Sequence, residues 1–395
     1  MQSLLLLLLA CRFPCADDEL LDVNGVCHAD AGASETGTDG LDTASDSGVD
    51  TGADPADTAQ GDTSDTGGLD TGGFPADDGW PVRFLAPYVD ATAYPTVRLG
   101  ALPAVTGIDR FTLGFVVAAS PSACDASWGT YSTVDVGPSA WADGAEYFLY
   151  DEIAALREQG GDVMVSFGGA ANTPIEAACA TVNDVVAQYV RVIERLDLTR
   201  IDFDVEGAWL RDAASITRRS QAIAALQAWA VVEGRPLHVW YTLPVLPSGL
   251  TAEGLAVVQD AVDHGVVIDG VNLMTMDYGD GTAPNPAGQM GEYGIDALEA
   301  TAGQLNGVWP DGPWRHLGST PMIGQNDVQS EVFDLEDAAQ TRDFAEERSL
   351  GMLGFWSINR DHPCPEATPW AQSSCNGSTT LADWAFARVF SGLDR

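Results

Sequence analysis

Three acidic side chains occupy every second position of one short, otherwise apolar stretch of the sequence, IDFDVEGAWL. Asp202, Asp204 and Glu206 alternate there with large apolar residues, so a strand through this stretch would carry all three carboxylates on one face. Carboxylates buried close together cannot all stay ionised, and at least one is expected to hold a proton at neutral pH. A carboxylic acid that keeps its proton can act as a general acid. The plainer interpretation is an edge strand whose acidic face lies in solvent.

The chain after Trp80 favours a fold that buries this strand. Apolar runs of strand length alternate with helical patterns or long loops, and eight such units predict an α/β fold, the (β/α)8 TIM barrel. An open, doubly wound sheet is the competing architecture, but no glycine-rich nucleotide-binding pattern supports it. The predicted strands span 83–89, 111–117, 162–168, 200–206, 237–245, 270–276, 316–324 and 351–357. The predicted helical stretches span 173–196, 215–234, 334–349 and 379–392.

A barrel gives the three acids a position. Strand residues of a barrel point alternately to its interior and to the surrounding helices. On the fourth strand the apolar residues then face the helices, and Asp202, Asp204 and Glu206 face inward. They line up towards the C-terminal mouth, where barrel enzymes build their active sites.

The sequence before the barrel divides into three parts. The apolar run 4–9 is too short to cross a bilayer and ends in LLAC, so residues 1–11 resemble a lipoprotein-type signal segment lipidated at Cys11, with an ordinary secretory signal as the alternative. Residues 12–29 are a short Cys-containing segment. Residues 30–79 are rich in Asp, Thr and Gly and predict a disordered acidic N-terminal linker. The barrel is assigned to residues 80–395.

The net charge of −40, with arginine as the only fully basic residue type, argues against nucleic acid as a partner, because phosphate binding needs a basic surface. We expect an exported monomer that touches a membrane only through the lipid anchor, either on the cell surface or in the periplasm, and otherwise a secreted protein.

The chain has seven cysteines, and lipidation of Cys11 would leave six. Six cysteines in an oxidising compartment can form three disulfides. The simplest pairing joins neighbours, although the sequence leaves the connectivity open: Cys15–Cys27, Cys124–Cys179 and Cys364–Cys375. No clustered Cys or His pattern predicts a metal site.

Four motifs in chain order make the sequence resemble the family 18 glycoside hydrolases, the chitinase family. The fourth-strand DGxDxDxE motif appears as Asp202 to Glu206, with Thr199 and Arg200 in place of the leading Asp-Gly, so the outermost acid of the series is absent. The third-strand SxGG motif appears as SFGG at 166–169. The sixth-strand Met-x-Tyr-Asp motif appears as MTMD at 274–277, and the eighth-strand Trp is Trp356. The resemblance covers about 83–361 and is closest to bacterial secreted chitinases with a single compact barrel.

This resemblance implies hydrolysis of β-1,4-linked N-acetylglucosamine polymers, with retention of configuration and without a protein nucleophile or any cofactor or metal. Glu206 would protonate the glycosidic oxygen, and the acetamido group of the substrate would attack the anomeric carbon. Asp204 would orient that acetamido group, and Asp202 would share a proton with Asp204.

Further residues near the mouth are candidates for sugar binding. Trp356 would stack on the apolar face of the reacting sugar. Asp277 and Tyr278 would contact the acetamido oxygen or Asp204, with the Tyr278 hydroxyl replacing the tyrosine that is missing at Met276. Trp240 is expected between the barrel and its helices. The substrate-binding candidates are Asp277, Tyr278, Met274, Trp356, Tyr88, Asn326 and Asn359.

Two other functions remain open at this point. A non-catalytic, lectin-like barrel would bind chitin-type sugars, but such relatives typically lose the acid at the position of Glu206. An endo-β-N-acetylglucosaminidase acting on N-glycans would use the same acid pair, so the motifs do not separate it from an endo-acting chitinase.

Overall fold

The chain folds into a parallel barrel surrounded by helices. The computed structural model describes residues 19–21, 27–29, 78–130 and 149–392. The predicted lipidation site Cys11, the pairing of Cys15 with Cys27 and nearly all of the predicted linker lie outside these residues. None of the helices in the described residues is long and apolar enough to cross a membrane.

The strands of the described residues fall into one large sheet and two small hairpins. In chain order they are β1 (Glu19–Leu21), β2 (Cys27–Ala29), β3 (Phe84–Leu85), β4 (Tyr88–Asp90), β5 (Arg110–Ser120), β6 (Ala123–Trp128), β7 (Asp162–Gly168), β8 (Arg200–Asp204), β9 (His238–Leu246), β10 (Gly249–Leu250), β11 (Gly270–Met274), β12 (Leu317–Ser319), β13 (Gly324–Gln325), β14 (Val332–Phe333) and β15 (Met352–Leu353).

The helices of the described residues alternate with these strands. They are α1 (Leu102–Thr106), α2 (Tyr150–Arg157), α3 (Ile175–Ala178), α4 (Val182–Leu196), α5 (Ala213–Val232), α6 (Ala252–Asp263), α7 (Met290–Gln304), α8 (Leu335–Arg348) and α9 (Ala385–Phe390).

The large sheet closes on itself, as predicted. Its order is β3-β15-β12-β11-β9-β8-β7-β5-β4, and all of these neighbours pair in parallel. The two ends of that order, β3 and β4, are consecutive pieces of the first barrel strand. Pro87, which has no N–H, lies between them, so the predicted single strand 83–89 is interrupted there.

The seventh and eighth strands are shorter than the sequence predicted. β12 ends at Ser319, two residues before Pro321, and β15 has only two residues. Beyond β15, Trp356 still pairs with Met322 in a single parallel bridge, so the segments that follow β12 and β15 stay side by side up to the mouth.

The predicted helical stretch 173–196 is two helices. Cys179, bonded to Cys124, is extended and ends α3, and Thr181 begins α4 with a capping box that it forms with Asp184. The predicted helix at 379–392 is reduced to α9, which begins after Trp384. The four cysteines within residues 78–130 and 149–392 pair as Cys124–Cys179 and Cys364–Cys375.

The alternation along β8 is as predicted. Ile201, Phe203 and Val205 are buried in the apolar layer between the barrel and the helices. Phe203 stacks on Phe167 of β7, with ring centroids 5.4 Å apart, and meets Tyr189 of α4 edge-on at 5.2 Å. Burial of this apolar face against α4 and its neighbours fixes the register of β8, and the acids are thereby directed to the other face.

The lower part of the barrel interior is apolar. Trp240 belongs to a separate buried cluster with Phe84, Met164 and Met352, and its ring meets that of Phe84 edge-on at 5.4 Å. The expectation that Trp240 lies between barrel and helices is therefore wrong. It pairs in register with the inward-facing Asp202, so it points inward as well.

Candidate active site

A cavity of about 210 Å³ opens at the C-terminal mouth of the barrel. It combines carboxylates, aromatic rings and methionines contributed by most of the barrel strands. Its walls are formed by Tyr88, Phe115, Ala170, Asp204, Glu206, Thr242, Met274, Met276, Asp277, Thr320, Met322, Asp327 and Trp356.

Asp202 lies below this cavity and is fully buried, with 0% of its surface exposed. Its Oδ2 accepts hydrogen bonds from the Tyr88 hydroxyl at 2.9 Å and the Ser166 hydroxyl at 2.6 Å, and its Oδ1 accepts one from Thr242 at 2.8 Å. Burial raises the pKa of Asp202 to about 6, although the three hydroxyl donors act in the opposite direction. Asp202 is therefore mostly ionised at neutral pH, with its charge stabilised by hydroxyl groups.

Asp204 and Glu206 form a coupled pair above Asp202. Burial and the charges of Glu206 and Asp202 raise the pKa of Asp204 well above its usual value. Burial raises the pKa of Glu206 to about 7, although its hydrogen bond with Asp204 acts in the opposite direction. The pair therefore holds a proton at neutral pH.

Two details of this pair bear on substrate binding. Asp204 is hydrogen-bonded to Glu206 rather than to Asp202, so the predicted sharing of a proton between Asp202 and Asp204 is not the arrangement seen here. Oδ1 of Asp204 is buried and accepts no hydrogen bond from an N–H or hydroxyl group of the described residues. A buried carboxylate oxygen without a donor is costly unless a ligand supplies one.

Glycine at position 168 allows β7 to approach this pair. Gly168 has a φ of +109°, and a Cβ there would lie 2.1 Å from the Asp204 carbonyl oxygen. That carbonyl also accepts the Gly169 N–H at 3.0 Å. The SFGG segment thus supports the acids in two ways, through close backbone contact and through the hydrogen bond from Ser166 to Asp202.

Trp356 forms an aromatic wall beside the acids. The ring is half-buried and stacks on Phe115 with centroids 5.6 Å apart and an interplanar angle of 24°. Tyr88 adjoins both rings, with centroids 5.9 Å from Phe115 and 6.0 Å from Trp356. Packing on two sides holds the indole in place, and its remaining surface lines the cavity.

Asp277 reaches the cavity from an unusual backbone conformation. Its φ is +53°, which non-glycine residues seldom adopt. Its Oδ1 accepts the Val328 N–H at 2.9 Å, which ties the loop after β11 to the loop after β13. Burial raises the pKa of Asp277, and the charge of Asp277 in turn raises that of Glu206.

The structure places Tyr88, Met274, Asp277 and Trp356 at the cavity with the acids, but three other predicted residues lie elsewhere. The Tyr278 ring is turned to the helix side, where it meets Tyr293 of α7 with centroids 6.2 Å apart. The expectation that its hydroxyl replaces the missing tyrosine is therefore corrected. Met276 itself lines the cavity.

The two predicted asparagines brace loops instead of lining the cavity. The fully buried Asn326 donates to the carbonyls of Met322 and Gly324, at 2.8 and 3.0 Å. Asn359 accepts the Asp90 N–H at 2.8 Å and donates to the Asp90 carbonyl at 3.1 Å. Each amide satisfies the backbone of a turn, a role that sequence position alone does not distinguish from sugar binding.

Sequence reasoning missed several parts of the cavity. Thr242 points inward from β9, and the alternation of that strand could have identified it, because it lies two residues after the inward-facing Trp240. Phe115 could not have been found in this way, because the register of β5 shifts between Gly114 and Val116 and interrupts the alternation there. Met322 lines the cavity from beyond the end of β12. Within the described residues, no group of three or more His, Cys, Asp or Glu side chains is arranged to hold a metal ion.

Comparison with known proteins places this geometry in a family. No family model matches the chain. The chain is 42% identical over 292 residues to a probable bifunctional chitinase/lysozyme of Escherichia coli (strain K12), covering 72% of this chain and 31% of that protein. It is 41% identical over 293 residues to endochitinase 11 of Metarhizium anisopliae, covering 72% of this chain and 53% of that protein. The chain thus spans about a third to about half of the length of these curated relatives.

A solved structure matches over nearly its whole length. The catalytic domain of the hyperthermophilic chitinase from Pyrococcus furiosus is 31% identical, with a TM-score of 0.68, covering 79% of this chain and 95% of that one. Fold and site together define a TIM-barrel glycoside hydrolase. The chain belongs to the family 18 glycoside hydrolases.

Proposed function

We propose that this protein is a chitinase, which hydrolyses β-1,4-linked N-acetylglucosamine polymers with retention and with assistance from the acetamido group of the substrate. The observation that carries the proposal is the buried Oδ1 of Asp204, which accepts no N–H or hydroxyl group of the described residues, beside the proton-holding Glu206 in a cavity walled by Trp356. An acetamido N–H is a donor that fits this oxygen, and a sugar face fits the indole.

In the first step Glu206 donates its proton to the glycosidic oxygen. A pKa of about 7 keeps a large fraction of Glu206 protonated at neutral pH. The acetamido carbonyl oxygen attacks the anomeric carbon, the bond to the leaving sugar breaks, and an oxazolinium ion forms. Asp204 accepts the acetamido N–H and stabilises the positive charge as it develops, and the ionised Asp202 beneath adds to this field.

In the second step a water molecule opens the ring. Glu206, now ionised, takes a proton from the water, whose oxygen attacks the anomeric carbon and restores the original configuration. The three carboxylates therefore act differently, since Glu206 transfers the proton, Asp204 steers the acetamido group, and Asp202 supports Asp204 from below.

We propose endo action. Between Met274 and Met290 the described residues contain no helix or strand, and between Ser319 and Leu335 they contain only the short strands β13 and β14. Neither loop therefore carries a large insertion that would cover the cavity, and a shallow cleft accepts the middle of a polymer.

We also propose that the protein is exported and anchored through Cys11. Support comes from the disulfides Cys124–Cys179 and Cys364–Cys375, which persist in oxidising compartments. Incorporation of labelled palmitate that is lost in Cys11→Ser would test this proposal, and equal labelling of both proteins would contradict it.

The activity is tested with 4-methylumbelliferyl chitooligosaccharides and the full chain. We expect hydrolysis by the wild type and a loss of about 10²–10⁴-fold in Glu206→Gln, the usual contribution of general acid catalysis. Glu347→Gln is the matched control, because that side chain is 74% exposed on α8. A folded wild type that cleaves no chitooligosaccharide would refute the proposal, and release of N-glycans by the same preparation would identify an endo-β-N-acetylglucosaminidase instead.

A further inference from the structure

The buried carboxylate of Glu331 accepts hydrogen bonds from the loop after β11, at the mouth of the barrel. Glu331 lies in the turn between β13 and β14, and 0% of its surface is exposed. Its Oε2 accepts the Tyr278 N–H at 3.1 Å, and its Oε1 accepts the Gly279 N–H at 2.7 Å. These two N–H groups follow Asp277 directly, so Glu331 fixes the backbone at the point where Asp277 adopts its φ of +53°.

That conformation needs support. A non-glycine residue in the left-handed region is strained and persists only where its surroundings hold it. Here the hydrogen bonds accepted by Glu331 hold the backbone, and the bond from Val328 to Asp277 holds the side chain. Two loops are thereby locked together, and the Asp277 carboxylate stays in the wall of the cavity.

We propose that Glu331 is a positioning residue for the reaction: it holds the loop after β11 so that the Asp277 carboxylate stays beside Glu206. This inference rests on the proposed role of Glu206 as the general acid. Glu331 itself does not line the cavity and acts only through Asp277.

Few charged groups lie close enough to influence the pKa of Glu206, so their effects can be distinguished. Asp204 faces it from β8, Asp277 from the loop after β11, and Asp327 lines the same cavity from the loop after β13. Arg360, from the segment after β15, acts on the charge of Asp277. Of these groups, only Asp277 directly precedes the two N–H groups that donate to the Glu331 carboxylate.

Glutamine at position 331 would break the support with little change in size. An amide oxygen can accept one of the two N–H groups, but the amide NH₂ would then oppose the other. The loop relaxes, the Asp277 charge moves away, and the pKa of Glu206 falls. We expect the alkaline limb of the pH profile of kcat/KM to move down by about half a unit, which corresponds to about a threefold loss on that limb.

The experiment combines kinetics with a direct titration in the full chain. The pH profile and the ¹³C-carboxyl titration of Glu206, assigned by its absence in Glu206→Gln, are recorded for wild type, Glu331→Gln, Asp277→Asn and the double variant. Ser330→Ala is the matched control. This variant removes the hydrogen bond that the Ser330 hydroxyl donates to Asp280 between the same loops, and it leaves the carboxylate of Glu331 in place.

We expect both single variants to lower the pKa of Glu206, the double variant to show no further change, and the control to titrate like wild type. An unchanged titration in Glu331→Gln, or an equal shift when Asp277 is already Asn, would overturn the inference. If Glu331→Gln does not fold, Glu331→Asp is measured instead. A titration of Glu206 in that variant that matches the wild type would likewise overturn the inference. The titration needs no substrate, so it remains decisive even if the proposed chitinase activity fails.

Discussion

Replacing Glu206 by glutamine should stabilise the folded protein above neutral pH and have little effect near pH 5. Burial raises the pKa of Glu206 from 4.5 to about 7. Because this carboxyl group binds its proton more tightly in the folded state, the free energy of unfolding falls as the pH rises from the unfolded pKa to the folded one. Above about pH 7 the free energy of unfolding of the wild type is therefore lowered by the full effect of the raised pKa. Glutamine does not titrate, so the variant does not lose this stability.

The size of the effect follows from the same two values. One pKa unit corresponds to about 1.36 kcal/mol. The rise from 4.5 to about 7 therefore destabilises the wild type by about 3 kcal/mol at alkaline pH, and by less than about 1 kcal/mol near pH 5. Such a difference is large beside the total stability of about 5–15 kcal/mol that is usual for folded domains.

Guanidinium unfolding of both proteins at about pH 5 and about pH 8.5, with the disulfides intact, measures this difference. The gain in free energy of unfolding for Glu206→Gln should appear mainly at the higher pH, whereas Glu347→Gln, at an exposed position of α8, should show no such gain. An equal difference between variant and wild type at both pH values would refute the assignment of a raised pKa to Glu206.

Three further outcomes are expected. Tyr88→Phe removes a donor to Asp202, so the pKa of Asp202 should rise from about 6, and the acidic limb of the kcat/KM profile should move up by on the order of one unit; an unmoved limb would contradict the role of this bond. Trp356→Ala should raise KM for chitooligosaccharides about tenfold, as loss of an aromatic stacking surface predicts, and unchanged kinetics would exclude it as a sugar platform. Replacing Cys124 and Cys179 together by Ser should lower the free energy of unfolding by about 2–4 kcal/mol in denaturant titrations, and equal midpoints would exclude a stabilising disulfide.

The sequence contained most of the information about the strands. The period-two pattern of β8 placed its acids inside and its apolar residues against the helices, because one face of a barrel strand must be buried under helices. The predicted bounds of β7 agree with the structure at both ends. The errors include the interruption at Pro87, the early end of β12 before Pro321 and the split of the predicted helix 173–196 at Cys179, and the helices α2, α6 and α7 were not predicted.

The side chains of the loops were less predictable. Asn326 and Asn359 follow barrel strands, and Asp277 does so as well, yet only Asp277 reaches the cavity. The difference depends on which backbone groups lack partners in each folded turn. That information appears only after distant segments have come together, as when Glu331 meets the N–H groups of Tyr278 and Gly279.

At Thr199 and Arg200 the sequence departs from the DGxDxDxE motif, and an acid from a distant segment lies against this place in the structure. Nε of Arg200 donates to Oδ2 of Asp78 at 2.7 Å, and the Thr199 hydroxyl donates to the same oxygen at 3.3 Å. An acid from a segment that the sequence assigned to the linker therefore lies against this end of β8. Thr199 precedes β8, whereas Glu206 follows it at the mouth, so the missing acid lies at the opposite end of the strand from the cavity. Its absence therefore bears on how the bottom of the barrel is closed, and the chemistry at the mouth depends on Asp202, Asp204 and Glu206, which are all present.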